Sequence, residues 1–149
     1  MGRKLTAWGW AAFVVVVAYG CATGPKAEAP SLYRQLGGRE GIAIVVDDFV
    51  ANVVGDNRIN ARFKALQPAQ VLKLKSHLAD QICDASGGPC AYLGRDMKTT
   101  HKGMGITEAE WTATVEALVK ALDKYKVGER EKNELLAALG PMKADIVGQ

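Results

Sequence analysis

The chain has 149 residues, 48% hydrophobic and 23% charged, the balance of a single soluble folded domain. Its net charge is only +3, and the basic residues are spread along the chain without a run. A nucleic-acid partner is therefore not indicated.

The N-terminus departs from the rest. MGRKLTAWGWAAFVVVVAYGC places Arg3 and Lys4 ahead of an apolar stretch over residues 5–19, closed by Gly20 and Cys21. A charged start, an apolar middle and a small residue at the cut are the layout of an export signal. Residues 1–20 are predicted to be a signal peptide, with Cys21 becoming the lipidated first residue of an exported, membrane-anchored lipoprotein. Ala18 and Tyr19 match the lipoprotein pattern imperfectly. An uncleaved anchor helix is the competing reading, although the apolar run is short of the roughly 20 residues a span needs. The opening MGRKLT also fits a myristoylation pattern, but the apolar run straight after it argues against that reading. Residues 21–30 read as a tether, with two prolines and no apolar period, and residues 31–149 as the folded domain.

Beyond Pro30 the periodicity is helical throughout. A short first element over residues 31–36 stops at Gly37-Gly38. A helix over residues 39–54 follows, with Ile42, Val45, Val46, Phe49, Val50 and Val53 on one stripe. Ile59 and Phe63 mark a turn. Residues 69–85 carry Val71, Leu74, His77, Leu78, Gln81 and Ile82 on the inward face, and Ser86-Gly87-Gly88-Pro89 ends that helix. Residues 90–96 are irregular, and a short helix over residues 97–101 runs into Gly103 and Gly105. Thr107 with Glu110 forms a capping box. The helix it opens sets Trp111, Val115, Leu118, Leu122 and Tyr125 inward. The last helix, residues 129–147, turns Leu135, Leu139, Met142 and Ile146 inward and is expected to kink at Pro141. The two long final helices suit an antiparallel pair, and the glycine-rich middle leaves a gap for something other than side chains to fill.

Cys83 and Cys90 stand either as a disulfide, favoured if the chain is exported, or as two reduced buried thiols. Their spacing matches no zinc pattern. The only two histidines are His77 and His101. A lone histidine at a helix end is usually structural or exposed. Here Gly103 and Gly105 remove side chains beside His101, as close approach of a flat ligand requires. Two imidazoles from different helices in an apolar slot suit heme better than zinc, which wants more ligands.

SLYRQLGGREGI, VVDDFV, the SGGP turn, YLGRDMKTTHKGMGIT and the final helix pair together resemble a group I truncated hemoglobin across residues 31–147. The resemblance implies an all-α, two-over-two helical sandwich around b-type heme, with His101 as the proximal iron ligand. It implies that Phe63 wedges the heme and that Phe49, Leu74, Leu78, Ile82, Met97 and Trp111 line the pocket. It also implies binding of a diatomic gas, oxygen or nitric oxide, with nitric-oxide or redox chemistry that would draw electrons from a reductase. The sequence departs from the family where many members place a distal tyrosine, which here is Val50, and a glutamine, which here is Leu78. Few distal donors weaken oxygen retention. The family allows a histidine at the position of His77 to be a sixth ligand, so the alternatives for His77 are distal coordination or contact with a heme propionate. The competing functions are a six-coordinate bis-histidine protein for electron transfer or sensing, and a helical lipoprotein that meets a partner without any cofactor.

Overall fold

The computed structural model describes residues 30–149 together with Gly2. The predicted signal peptide, the tether to residue 29 and the lipidation site Cys21 lie outside the described residues.

Gly37 and Gly38 take φ of +85° and +66°, left-handed values that glycine adopts without a Cβ penalty. They let the chain leave α1 (Leu32–Gln35) and enter α2 (Gly38–Gly55) at once. A 3-10 turn follows at Asn60–Arg62. Next comes α3 (Pro68–Ala85), with proline in the first turn, where a missing N–H costs nothing, and a Gln67–Gln70 capping box. α4 (Met97–His101), α5 (Glu108–Lys124) and α6 (Glu129–Leu139) complete the helices, and a 3-10 segment, Gly140–Asp145, follows α6. Among the described residues there is no strand, only an isolated parallel bridge between Ile106 and Val147. None of the described helices is long and apolar enough to cross a membrane.

All six residues of the predicted α2 stripe are buried. Valine and isoleucine are weak helix formers, so α2 is held by what it packs on. Each such side chain withdrawn from water contributes about 1.5–3 kcal/mol. α2 packs most extensively on α5 and then on α3. The closest partner of α5 is thus α2 rather than α6, and α6 lies against α1, α3 and the terminal 3-10 segment. The buried face of α5 explains this. It consists of Ala113, Ala117, Leu118, Ala121 and Leu122, and three alanines let the two backbones approach. Leu118 and Leu122 are where the periodicity placed them, whereas Trp111 and Val115 are half-buried and Tyr125 is 41% exposed.

The last helix stops at Leu139 instead of kinking. Pro141 has no N–H to return to the carbonyl four residues back, and the chain tightens into 3-10 geometry there. Lys132, only 7% exposed, anchors the α5–α6 turn by pairing with Asp123 and with Glu129 at 2.6 Å.

Cys83 and Cys90 are joined in a disulfide with Cα atoms 5.8 Å apart, so the open sequence question is resolved toward the bridge. Gly88 lies inside the closed loop. A Cβ there would sit 2.5 Å from Cys83 Sγ, 2.6 Å from Tyr33 Cδ2 and 2.8 Å from the Cys83 carbonyl oxygen. None of these neighbours is free to move away. Gly88→Ala is therefore expected to lower stability by about 1–3 kcal/mol, as overpacking does. Urea unfolding of the oxidised protein checks this, and an unchanged midpoint would contradict the steric argument.

Candidate functional site

α4 is a single turn and needs its cap. Asp96 accepts the Thr99 N–H at 2.8 Å, and that bond holds its carboxyl below the usual carboxylate range. At the other end, His101 Nδ1 lies 2.8 Å from the Met97 carbonyl oxygen. A carbonyl only accepts, so Nδ1 is the donor, and in the neutral ring Nε2 is then the nitrogen with the lone pair. This pattern fixes the tautomer and orientation of a metal-binding imidazole. Among the described residues no three His, Cys, Asp or Glu side chains gather as a metal cluster. A single directed Nε2 suits a group that brings its own remaining ligands.

Gly103 and Gly105 have φ of +77° and +58°. A Cβ at either would meet nothing within 4 Å. The glycines are required by the left-handed turn itself, which carries the chain away from His101, and no protein atom among the described residues crowds them.

That turn is clamped from two sides. Arg62, from the 3-10 turn after α2, donates to the Met104 carbonyl at 2.6 Å and to the Gly105 carbonyl at 3.5 Å. Its Nε and Nη2 grip Glu110 at 2.7 and 3.0 Å. Glu110 also accepts the Thr107 N–H, closing the predicted capping box. The Arg62 guanidinium, with that N–H, holds the Glu110 carboxyl down at about 2. On the other side the C-terminal residues pair with the loop. The Gly105 N–H donates to the Gln149 carbonyl at 2.6 Å and the Gly148 N–H to the Ile106 carbonyl at 2.9 Å. Arg62 is a residue that sequence reasoning missed, since nothing local marks an arginine that reaches 48 positions along the chain.

Of the predicted pocket residues, Phe49, Val50 and Ile82 are buried in one core cluster, and Phe63 and Leu78 pack against it. Leu74, Met97 and Trp111 are half-buried outside that cluster. Met97 is tied to α3 through Gln81, whose amide donates to Met97 Sδ at 3.6 Å and to Met142 Sδ at 3.3 Å. His77 is half-buried, and its ring meets Tyr92 edge-on, with centroids 6.1 Å apart and planes at 71°. Tyr92 was not singled out in the sequence. With Gln81, Asp84, Ala85, Ala138 and Met142 it lines a cavity of about 360 Å³. A larger cavity of about 460 Å³, between the α1–α2 turn and the α5–α6 turn, touches none of the predicted site residues.

Residues 31–147 match the family described as bacterial-like globin. The chain is 31% identical over 121 residues to a group 1 truncated hemoglobin of Mycolicibacterium paratuberculosis, covering 81% of this chain and 87% of that protein. Among solved structures it resembles the truncated hemoglobin of Tetrahymena pyriformis, with a TM-score of 0.75 and 26% identity over 80% of this chain and 100% of the other. It also resembles the 2/2 hemoglobin of Synechococcus sp., solved with covalently attached heme, with a TM-score of 0.72 and 28% identity over the same shares.

Proposed function

The chain belongs to the bacterial-like globin family, and from that premise we propose that it is a heme-binding globin that takes a diatomic gas, with His101 as its proximal ligand. The observation that carries the assignment is the His101 Nδ1 bond to the Met97 carbonyl, which leaves Nε2 as the only free imidazole lone pair on α4. Heme would supply an iron that binds the gas and can change oxidation state.

The chain's own residues do the rest. Met97 holds His101 in orientation through its carbonyl. Phe63, beside the Arg62 clamp, would wedge the heme edge, and Phe49, Leu78 and Ile82 would exclude water from the distal side. Leu74, Met97 and Trp111, half-buried and without close core partners, would gain theirs from the heme. Val50 and Leu78 bring no hydrogen-bond donor to that side. Oxygen retention would accordingly be weak, which tells against oxygen storage and against fast dioxygenation of nitric oxide and leaves gas binding or redox chemistry. Such turnover would draw on a reductase as electron donor.

An absorption spectrum of the full chain supplied with hemin tests the reading. A Soret band with a ferrous form that shifts on carbon monoxide addition is the expected result. Its absence would leave a helical protein without cofactor. The second reading, six-coordinate iron with His77 as distal ligand, is favoured by one observation. His77 shares an α3 face with Leu74, Leu78 and Gln81, beside the Gln81 contact to Met97 on α4. A low-spin ferrous spectrum without added gas distinguishes it.

The charged start, apolar run and small residue before Cys21 support export and lipidation at that cysteine. Metabolic lipid labelling is expected to mark the wild-type chain and not Cys21→Ser, which should persist as unprocessed precursor. An unlabelled mature wild type ends this part of the proposal.

A further inference from the structure

We propose that Tyr92 is a positioning residue that holds His77 back from the iron, and that the Cys83–Cys90 bridge sets the place of Tyr92. The inference rests on the heme-binding reading above. His77 makes no side-chain hydrogen bond among the described residues, and the contact that holds its ring is the edge of Tyr92 at 6.1 Å. Neither imidazole nitrogen is bonded to a described residue, so no hydrogen bond opposes a change of rotamer and the edge of Tyr92 is the aromatic contact that does.

Tyr92, by contrast, is fixed at every end. Its hydroxyl donates to the Arg95 carbonyl at 2.9 Å, and its N–H donates to Asp84 Oδ2 at 3.2 Å. Its ring lies over Gly94 so closely that a Cβ there would collide with it. Two residues before it, Cys90 is bonded to Cys83 in the last turns of α3, the helix that carries His77. Arg39 adds a further tie to this corner, reaching Cys90 Sγ at 3.1 Å and Asp80 at 2.9 Å. Burial pushes the Tyr92 phenol up, in keeping with a ring withdrawn from water.

The arrangement is a competition. His77 sits at the border of the α3 stripe formed by Leu74, Leu78 and Gln81, so its imidazole has two destinations: the Tyr92 edge or the iron. An edge-to-face aromatic contact shifts such a balance by roughly 2- to 10-fold. The loop after α3 thereby tunes the fraction of protein whose iron is open to gas, without itself touching the heme.

The test uses full-length holoprotein as wild type, Tyr92→Leu, Tyr92→Phe, His77→Leu and the Tyr92→Leu/His77→Leu double variant. The low-spin fraction of gas-free ferrous protein and the rate of carbon monoxide binding are measured. Tyr92→Leu should raise the ratio of six- to five-coordinate iron and slow carbon monoxide binding, each by roughly 2- to 10-fold. Tyr92→Phe keeps the ring and should stay near wild type. In the double variant the effect of Tyr92→Leu should vanish, because it acts through His77. A purely structural Tyr92 would instead change heme retention equally in both backgrounds and leave the spin state alone. An unchanged or reduced low-spin fraction in Tyr92→Leu overturns the proposal, as does an effect that persists without His77. Should Tyr92→Leu not fold, Gly94→Ala, which displaces the ring from beneath, must shift the iron in the same direction. Cys90→Ser must do so too, and no change there overturns the role of the bridge. A wild type with no Soret band is a different failure, since it removes the heme reading itself.

Discussion

His101→Ala is expected to abolish stable heme retention. The neighbourhood makes compensation difficult. Among the described residues the only other imidazole is His77 on α3, and no cluster of three potential metal ligands is present to recruit. The Met97 carbonyl, which now receives the Nδ1 proton, would lose its partner but cannot itself replace a nitrogen ligand. Loss of an outer hydrogen-bonding partner typically weakens a metal site roughly 10- to 100-fold, and loss of the ligand should exceed that. The measurement is the rate of heme transfer to an apoglobin acceptor, alongside the ferric spectrum. His101→Gly with added imidazole should recover the band, because the cavity then admits a free ligand in place of the side chain. A mutant whose spectrum and heme-loss rate match wild type would falsify the proximal assignment.

The short turn that carries His101 was legible because its signal is local. A short turn with an Asp cap, a histidine at its end and two glycines beyond it are contiguous in sequence, and each of those residues has a local structural reason. The helix starts were legible for the same reason. The Thr107–Glu110 box and Pro68 at the first turn act within four residues. What escaped was carried by residues with no periodic signal or with distant partners. Alanine contributes little to a hydrophobic stripe, so the inward face of α5 was read as Trp111, Val115, Leu118, Leu122 and Tyr125, when its buried members are Ala113, Ala117, Leu118, Ala121 and Leu122. The proline in the last helix was read as a kink because helices often survive one. Here the chain after Gly140 has few buried neighbours to hold an α-helical continuation, and it ends in 3-10 geometry. Arg62, Tyr92 and Met142 matter through contacts made across the fold, and only the folded chain brings them to the site.

The Arg62–Glu110 clamp gives the second large effect, and it carries a pH signature. Glu110 titrates at about 2 in the folded chain because Arg62 and the Thr107 N–H stabilise its charged form, whereas an ordinary glutamate titrates near 4.5. A depressed carboxyl contributes stability that is fully present above the unfolded value and is lost as pH falls toward the folded one. The clamp should therefore hold at neutral pH and weaken progressively between about 4.5 and 2. Glu110→Gln removes this dependence and leaves the loop loosened at every pH. Hydrogen exchange of the holoprotein over residues 102–107 reports the loop directly. At pH 7 the Glu110→Gln loop should exchange on the order of tenfold faster than wild type, an allowance made for partial solvent screening of the pair. The difference should close as the pH falls through the window. Every other titrating group is common to both proteins, so the difference between them isolates Glu110. Arg62→Lys keeps the charge but loses the fork that spans Glu110 and the Met104 and Gly105 carbonyls, and it should recover only part of the protection. Because the same loop follows His101 directly, heme loss should quicken in Arg62→Leu even though Arg62 is placed only on the loop and on Glu110. Equal exchange of wild type and Glu110→Gln at neutral pH would show that the C-terminal pairing with Gly148 and Gln149 holds the loop unaided.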